Sequence, residues 1–507
     1  MTALRQIKKA LITVYHKEGL HEILQQLHSA GVCLLSTGGT REFIESLEIP
    51  CESVERYTNF PAILGGRVKT LHPEIFGGIL ARSESDDDEF QLSRYGIDRI
   101  DLVIVDLYPL ADTIASGASH DEIIEKIDIG GVSLIRAAAK NFRDVLVVAS
   151  QSMYSPLLHI LKEKGAETTV EERRWFAREA FAVTSGYDAV AFRWFDDGED
   201  SVFRAAGDSP MQLRYGENPH QRGRFFGRFE DMFDKIHGKE LSYNNLLDID
   251  AAVSLIDEFQ ETTFAVLKHN NPCGIASRPG IADAWRAALA CDPVSAYGGI
   301  LVTNAPVNRE AAAEIDKIFF EVIIASDYDT DALELLMHRK NRIILIRKPC
   351  KLPKVQYRSL LNGVLLQDRD VLQASADDMQ AMTERVPTAS EAEDLAFAKL
   401  VVKHCKSNAI VLTRDKQMCA SGVGQTSRVD ALKQAIEKAL RFGFDLQEAV
   451  MASDAFFPFA DCVEIASQAG IRAVIQPGGS VNDSLSVDYC NAHGIAMVKT
   501  GIRHFKH

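Results

Sequence analysis

Residues 32–40 read Val-Cys-Leu-Leu-Ser-Thr-Gly-Gly-Thr, and this stretch decides the fold class of the first part of the chain. Val32–Leu35 is an apolar run of strand length. Ser36-Thr37-Gly38-Gly39-Thr40 is a turn of small residues, after which Phe43, Ile44 and Leu47 mark a helix. Upstream, the apolar run Ala10–Val14 precedes Leu20, Ile23, Leu24 and Leu27 at helical spacing. Downstream, Leu102–Leu107 and Val145–Ala149 are two more candidates for buried strands. Strand–helix alternation of this kind predicts a doubly wound parallel sheet with ligands at the carboxyl ends of its strands. A long helix over Val170 to Ala191 follows. The acidic stretch Asp196-Asp197-Gly198-Glu199-Asp200 then reads as a boundary, giving domains 1–199 and 200–507.

The second part is again α/β. Strands are expected at Phe264–Leu267, Gly299–Thr303, Val322–Ala325, Arg342–Ile346, Ala409–Leu412, Ala473–Ile475 and Ile495–Val498, and helices near 281–290, 391–403, 430–441 and 461–469. This length suggests two packed subdomains. Two echoes hint at an internal duplication. Asp292-Pro293-Val294-Ser295-Ala296-Tyr297 resembles Ser453-Asp454-Ala455-Phe456-Phe457, and strand-plus-Asn turns recur at 264–271 and 405–412. Residues 350–390 show no clear periodicity.

Composition narrows the class. The chain has 507 residues, 46% apolar and 25% charged, as expected of a globular protein with several domains. No apolar run reaches the roughly 18 residues that span a bilayer, and Met1 to Lys9 lacks a signal-peptide core, so no membrane association and residence in the cytoplasm are expected. Nine scattered cysteines without paired spacing fit free thiols. A formal net charge of −15 argues against general nucleic-acid binding but permits a local basic pocket for a small anion.

Five motifs carry chemistry. In Lys268-His269-Asn270-Asn271-Pro272-Cys273-Gly274, a strand end presents an ammonium and an imidazole together, and the turn from Asn270 to Pro272 directs both toward one cavity. A bare Lys-His pair reads better as a surface lysine and a structural histidine, and it is the surrounding pattern, with the segments downstream, that overturns this reading. Ser36–Thr40 offers backbone N–H groups and a helix start to an anion, although a tight turn plus helix cap explains it as well. Gly65-Gly66-Arg67-Val68-Lys69-Thr70-Leu71-His72-Pro73 places Arg67 and Lys69 on one face of an extended segment. Asp106-Leu107-Tyr108-Pro109 and Asp128-Ile129-Gly130-Gly131, leading to Lys140-Asn141, add an acid, a phenol and a further cation.

Together these motifs resemble the bifunctional purine-biosynthesis family that carries phosphoribosylaminoimidazolecarboxamide formyltransferase and IMP cyclohydrolase. The resemblance extends over the later segments Arg214-Tyr215-Gly216-Glu217-Asn218-Pro219-His220, Lys406-Ser407-Asn408, Ser453–Phe459 and Gly501-Ile502-Arg503-His504-Phe505. It implies a methylglyoxal synthase-like N-terminal domain and a C-terminal transformylase of two cytidine-deaminase-like α/β subdomains. By motif, Lys17, Thr37, Gly39 and Thr40 would hold the nucleotide phosphate. Arg67, Lys69, Thr70, Tyr108, Asp128 and Lys140 would form the ring-closure site.

In the second domain His269 fits a base, Lys268 an oxyanion or leaving-group partner, and Asn408 an amide donor. Arg214, Tyr215 and Arg503 are expected on the nucleotide, and Phe456, Phe457 and Asp461 on the folate. The co-substrate implied is 10-formyltetrahydrofolate. No zinc is expected, because Pro272-Cys273 lacks a second cysteine three residues on. The family forms homodimers, which is expected here. The chain departs from the family at Tyr15 and His16, where Ser-Asp is usual, and at Asp106, where Asn is usual. Those changes leave open a transformylase with an impaired cyclohydrolase domain.

Overall fold

Five short parallel strands build the first sheet: β1 (Lys9–Val14), β2 (Cys33–Ser36), β3 (Glu52–Ser53), β4 (Leu102–Asp106) and β5 (Leu146–Val148). Their spatial order is β3-β2-β1-β4-β5, so the chain winds outward from β1 in one direction and from β4 in the other. This is the doubly wound arrangement the sequence predicted, with a switch point between the carboxyl ends of β1 and β4. Leu11, Ile12, Leu35, Val103, Ile104 and Val147 are fully buried, which is why these strands read as continuous apolar runs. The long helix Val170–Phe195 starts on a capping box, Thr169 with Glu172, and runs one turn beyond its expected end.

The computed structural model describes residues 4–196, 202–207, 210–373 and 378–507, and the expected boundary at 199/200 lies outside the described residues. The chain divides into two compact units, 1–209 and 210–507.

The second unit is built on a twelve-stranded sheet. Its strands are β6 (Phe233–His237), β7 (Thr263–Lys268), β8 (Asn271–Ser277), β9 (Gly299–Thr303), β10 (Phe320–Ala325), β11 (Ile343–Arg347), β12 (Gln380–Ala381), β13 (Ile410–Arg414), β14 (Gln417–Gly422), β15 (Val450–Ser453), β16 (Ala473–Gln476) and β17 (Ala496–Lys499). The order is β6-β11-β10-β9-β7-β8, then β14-β13-β15-β16-β17-β12. The halves mirror one another. Each has an antiparallel edge strand, a helix (Tyr243–Ile256 or Ala389–Lys403), an antiparallel hairpin and three parallel strands. They join where Ala276 of β8 pairs with Gln417 of β14.

The duplication is real, but it lies in the order of elements and not in the short echoes. Asp292–Tyr297 precedes β9, whereas Ser453 ends β15, the counterpart of β9. Likewise Lys268 ends β7, whereas Lys406-Ser407-Asn408 precedes β13, the counterpart of β7. The equivalent features are the two hairpin turns. Lys268 pairs with Asn271 around His269-Asn270, and Arg414 pairs with Gln417 around Asp415-Lys416. All four turn residues have left-handed φ, of 53°, 63°, 54° and 51°, as a two-residue hairpin turn of type I′ requires. The turn is therefore His269-Asn270, one residue earlier than expected, and Asn271-Pro272 already begins the returning strand.

Gly274 of β8 lies against the helix Ile281–Cys291, where an added Cβ would come within 2.0 Å of the Ala288 carbonyl oxygen. Gly274→Ala is expected to destabilise the second unit by about 1–3 kcal/mol or more, because helix and strand must separate. Thermal unfolding of the full chain checks this; an unchanged transition would mean the helix shifts freely.

Residues 355–368 form an exposed antiparallel hairpin, Val355–Leu360 with Gly363–Asp368. Both faces are open, so no apolar alternation marks it in sequence. No helix among the described residues is long and apolar enough to cross a membrane.

Candidate functional site

A cavity of about 610 Å³ opens at the β1/β4 switch point of the first unit. Lys17, Thr37, Gly39, Thr40, Arg67, Lys69, Thr70, Tyr108 and Asp128 all line it. One rim is the start of the helix Gly38–Ser46. The Thr37 hydroxyl does not cap that helix; it donates to Glu55 at 2.7 Å. The Thr40 hydroxyl is also engaged, donating to the Val14 carbonyl (2.9 Å) and accepting from the Val14 N–H (3.1 Å). The Thr40 hydroxyl clips the turn to the sheet and that of Thr37 ties it to the helix Val54–Tyr57, and the backbone N–H groups of the first helical turn remain as anion donors. Lys17 Nζ is held at the end of β1 by the carbonyls of Val14 (2.9 Å) and Tyr15 (2.7 Å).

Asp128 stands at the opposite rim, before the helix Gly130–Lys140. Its Oδ1 accepts the Gly131 N–H at 2.7 Å, and a Cβ at Gly131 would fall 2.7 Å from the other carboxylate oxygen. Burial raises the Asp128 carboxyl above the usual carboxylate range, opposed by backbone N–H donors and the Lys69 charge. Burial, then the Asp128 charge, also raises the Tyr108 phenol, which therefore keeps its proton at neutral pH. Tyr187, on the helix Val170–Phe195, accepts the Asp128 N–H at 2.8 Å and donates to the Lys126 carbonyl at 2.6 Å. Lys126 Nζ lies over the rings of Tyr15 (5.0 Å) and Tyr108 (5.3 Å). Neither Tyr187 nor Lys126 belongs to a motif, so sequence reading missed both.

The departures at positions 16 and 106 answer each other. The imidazole Nδ1 of His16 lies 2.7 Å from Asp106 Oδ2, and the His16 N–H donates to the same oxygen at 2.9 Å. Asp106 is thus paired and not an isolated negative charge in the cavity. Tyr15 packs edge-on to Tyr108, with ring centroids 5.6 Å apart, and itself lines the cavity. Removing the imidazole leaves the Asp106 carboxylate with the backbone N–H of residue 16 but without its side-chain partner. His16→Ala is therefore expected to weaken the binding of a small anion in this cavity about tenfold, the worth of one charge-assisted hydrogen bond. His16→Ala with Asp106→Asn should recover most of that loss; calorimetric titration with inorganic phosphate reads both, and no recovery would show the pair to be incidental.

Lys140 is not with the others. It ends an eleven-residue helix whose start lines the cavity, roughly 15 Å away along the axis. There it lines a separate cavity with Arg82, Arg143 and Arg173. The motif spacing suggested proximity, but the helix carries Lys140 to the far end within one chain.

In the second unit, Lys268 Nζ donates to the Tyr297 carbonyl at 2.7 Å, and His269 is exposed in the turn. The Lys406 N–H donates to Asn271 Oδ1 at 2.9 Å, which brings the Lys406–Asn408 segment against this turn. Asn408 is fully engaged. Its Oδ1 accepts from Arg428 (2.9 Å), and its Nδ2 donates to the carbonyls of Gln425 (3.0 Å) and Thr426 (3.3 Å). The same Arg428 nitrogen pairs with fully buried Asp454 at 2.9 Å. The C-terminal segment runs alongside, with the Ser407 N–H donating to the Lys506 carbonyl and the His504 N–H to the Asp454 carbonyl.

Arg503 is exposed and stacks on Phe505 at 4.5 Å; Arg214 bonds and stacks on Tyr215, at 2.9 and 4.7 Å. Phe456 is half-exposed, and Asp461 begins the helix Asp461–Gln468. Phe457 is fully buried in the core, so it supports its neighbour from behind and has no face for a ligand. Cys273 is a buried thiol, pushed up to about 12 by desolvation.

A parallel α/β unit with an anion cradle at its switch point, followed by a duplicated mixed-sheet unit, defines a two-site enzyme. Residues 19–133 match the MGS-like domain, and residues 138–438 match the AICARFT/IMPCHase bienzyme. The chain is 65% identical to the bifunctional purine biosynthesis protein PurH of Bacteroides thetaiotaomicron over 507 residues, covering 100% of both chains. It is 44% identical to the protein of the same name from Caldicellulosiruptor saccharolyticus over 516 residues, covering 99% of this chain and 100% of that one. The protein of that name from Aquifex aeolicus is 44% identical over 510 residues, covering 98% of this chain and 100% of its own. The chain belongs to the AICARFT/IMPCHase bienzyme family. It is an enzyme of purine biosynthesis with both activities: formyl transfer from 10-formyltetrahydrofolate to 5-aminoimidazole-4-carboxamide ribonucleotide, and closure of the product to IMP.

Proposed function

We propose that ring closure takes place in the first-unit cavity and formyl transfer around the Lys268–His269 turn, with a functional boundary near 199/200. The observation that carries this reading is that Asp128, Lys69 and Tyr108 share a cavity with the anion cradle.

In formyl transfer the 5-amino nitrogen attacks the formyl carbon, the formyl oxygen becomes an oxyanion, and the folate nitrogen leaves with a proton. His269 takes the proton from the amine, and Lys268 stabilises the oxyanion or protonates the leaving nitrogen. Arg214, Tyr215 and Arg503 hold the nucleotide, and Phe456 and Asp461 border the folate. Asn408, with all its polar atoms engaged, acts by fixing the Arg428–Asp454 pair and the segment beside the turn. In ring closure the carboxamide nitrogen attacks the formyl carbon and water is lost. The phosphate rests on the backbone N–H groups after Thr37, with Lys17 beside it. Asp128 accepts the carboxamide proton and returns it to the oxyanion that Lys69 stabilises, and Tyr108 protonates the departing hydroxyl and recovers its proton from the formamido nitrogen as the ring double bond forms. Arg67 and Thr70 orient the carboxamide.

The enzyme works as a cytoplasmic homodimer in this reading. Support comes from the hairpin at 355–368, which exposes Leu360, Leu361, Val364, Leu365 and Leu366, an apolar surface of the kind that marks an interface. Sedimentation of the full chain tests the dimer, and a monomer at micromolar concentration would refute it. The division of labour is tested by single-site variants assayed for both reactions.

A further inference from the structure

The duplicated fold supplies an internal comparison for the turn that carries His269. Asp248 lies five residues beyond the first residue of its helix (248 against 243), and Asp394 lies five beyond the first of its own (394 against 389). Each carboxylate binds the hairpin turn of its half. Asp394 accepts both turn N–H groups, from Asp415 at 2.8 Å and Lys416 at 2.6 Å. Asp248 accepts that of Asn270, at 2.7 Å. The second turn has only a structural part, since Lys416 Nζ is paired with Glu261 (2.7 Å) and Glu393 (3.2 Å). In the first turn His269 is exposed, and His269 and Lys406 are the titratable side chains that act on the Asp248 carboxylate.

Two consecutive non-glycine residues in the left-handed region cost free energy and need an external clamp. We propose that Asp248 is a positioning residue for formyl transfer: its carboxylate clamps the His269-Asn270 turn and thereby fixes the imidazole next to Lys268. Asp248 touches no reacting atom; it acts through the turn. The inference rests on the reading of His269 as the base of formyl transfer.

The test uses the full chain, with formyl transfer and ring closure of supplied formylated nucleotide measured on every variant. Asp248→Ala is expected to lower kcat for transfer by about 10–100-fold, the usual cost of losing an orienting partner, with ring closure unchanged. Asp248→Asn keeps an oxygen for the Asn270 N–H and should recover part of that loss. Asp394→Ala removes the equivalent clamp from the inert turn, so it should lower thermal stability yet leave transfer within about threefold.

Parent-like transfer in Asp248→Ala would overturn the proposal, as would equal loss of transfer in Asp394→Ala. Should Asp248→Ala fail to fold, Asp248→Leu, which fills the space of the carboxylate but offers no acceptor to the Asn270 N–H, decides: a reduced kcat with both KM values unchanged supports the clamp, and a parental kcat overturns it. His269→Ala separates this inference from the reading beneath it. If that variant still transfers formyl, the base assignment fails; if it is inactive while Asp248→Ala is not, only the clamp fails.

Discussion

Replacing His269 with alanine lowers kcat for formyl transfer by about 10²–10⁴-fold and leaves ring closure of supplied formylated nucleotide at its parental rate. Lys268→Ala has the same expected outcome. The amine of an aminoimidazole is a weak nucleophile, so its proton must leave as the new bond forms, and an imidazole is suited to accept it near neutral pH. The Lys268 ammonium is held by the Tyr297 carbonyl, which fixes its position one residue before His269. In the proposed division of labour ring closure needs neither group, because the acid–base residues assigned to it line the cavity of the first unit. The measurement is a pair of steady-state assays on one preparation, with thermal unfolding as the check on folding. A folded variant that loses both reactions would contradict the division between units.

Asp128→Asn is expected to lower ring closure by about 10²–10⁴-fold, with formyl transfer untouched. Asparagine matches the size of aspartate and still offers an oxygen to the Gly131 N–H, but it cannot take up a proton. The pH profile carries a second expectation. The ionised carboxylate is the active form, and burial raises its pKa, so ring closure should fall with decreasing pH above the range of an ordinary aspartate. A profile flat through that region would assign the base to another group. Retention of ring closure in Asp128→Asn would do so directly.

Much of the site was legible as chemistry in the sequence, and the reasons differ by element. The cradle at Thr37–Thr40 follows a buried parallel strand, whose unbroken apolar run announces itself. Asp128 precedes Gly130-Gly131, and the second glycine is required because a side chain there would strike the carboxylate. Strands β3, β6, β8, β12, β14 and β15 were missed. Asn271-Pro272-Cys273-Gly274 has the composition of a loop, and Asp415-Lys416 lacks the Asn-Gly signature of a two-residue hairpin. The internal repeat was suspected on echoes that occupy different places. Its true correspondence, Asp248 with Asp394, joins helix to turn across about twenty residues and leaves no periodic trace.

By itself, the sequence determined the two α/β parts, the family and both reactions, because those depend on residue types at short spacing. Short spacing fixes local backbone geometry, and local geometry is what strands, turns and helix starts require. Tertiary structure alone decided which of those residues meet. It paired His16 with Asp106 across adjacent strands and brought Tyr187 under Asp128 from a helix some sixty residues on. It carried Lys140 a helix length from the cavity, and it spent the polar atoms of Asn408 on neighbours. Each of these outcomes turns on which faces pack together, and packing is settled by the burial of whole elements and not by any one motif.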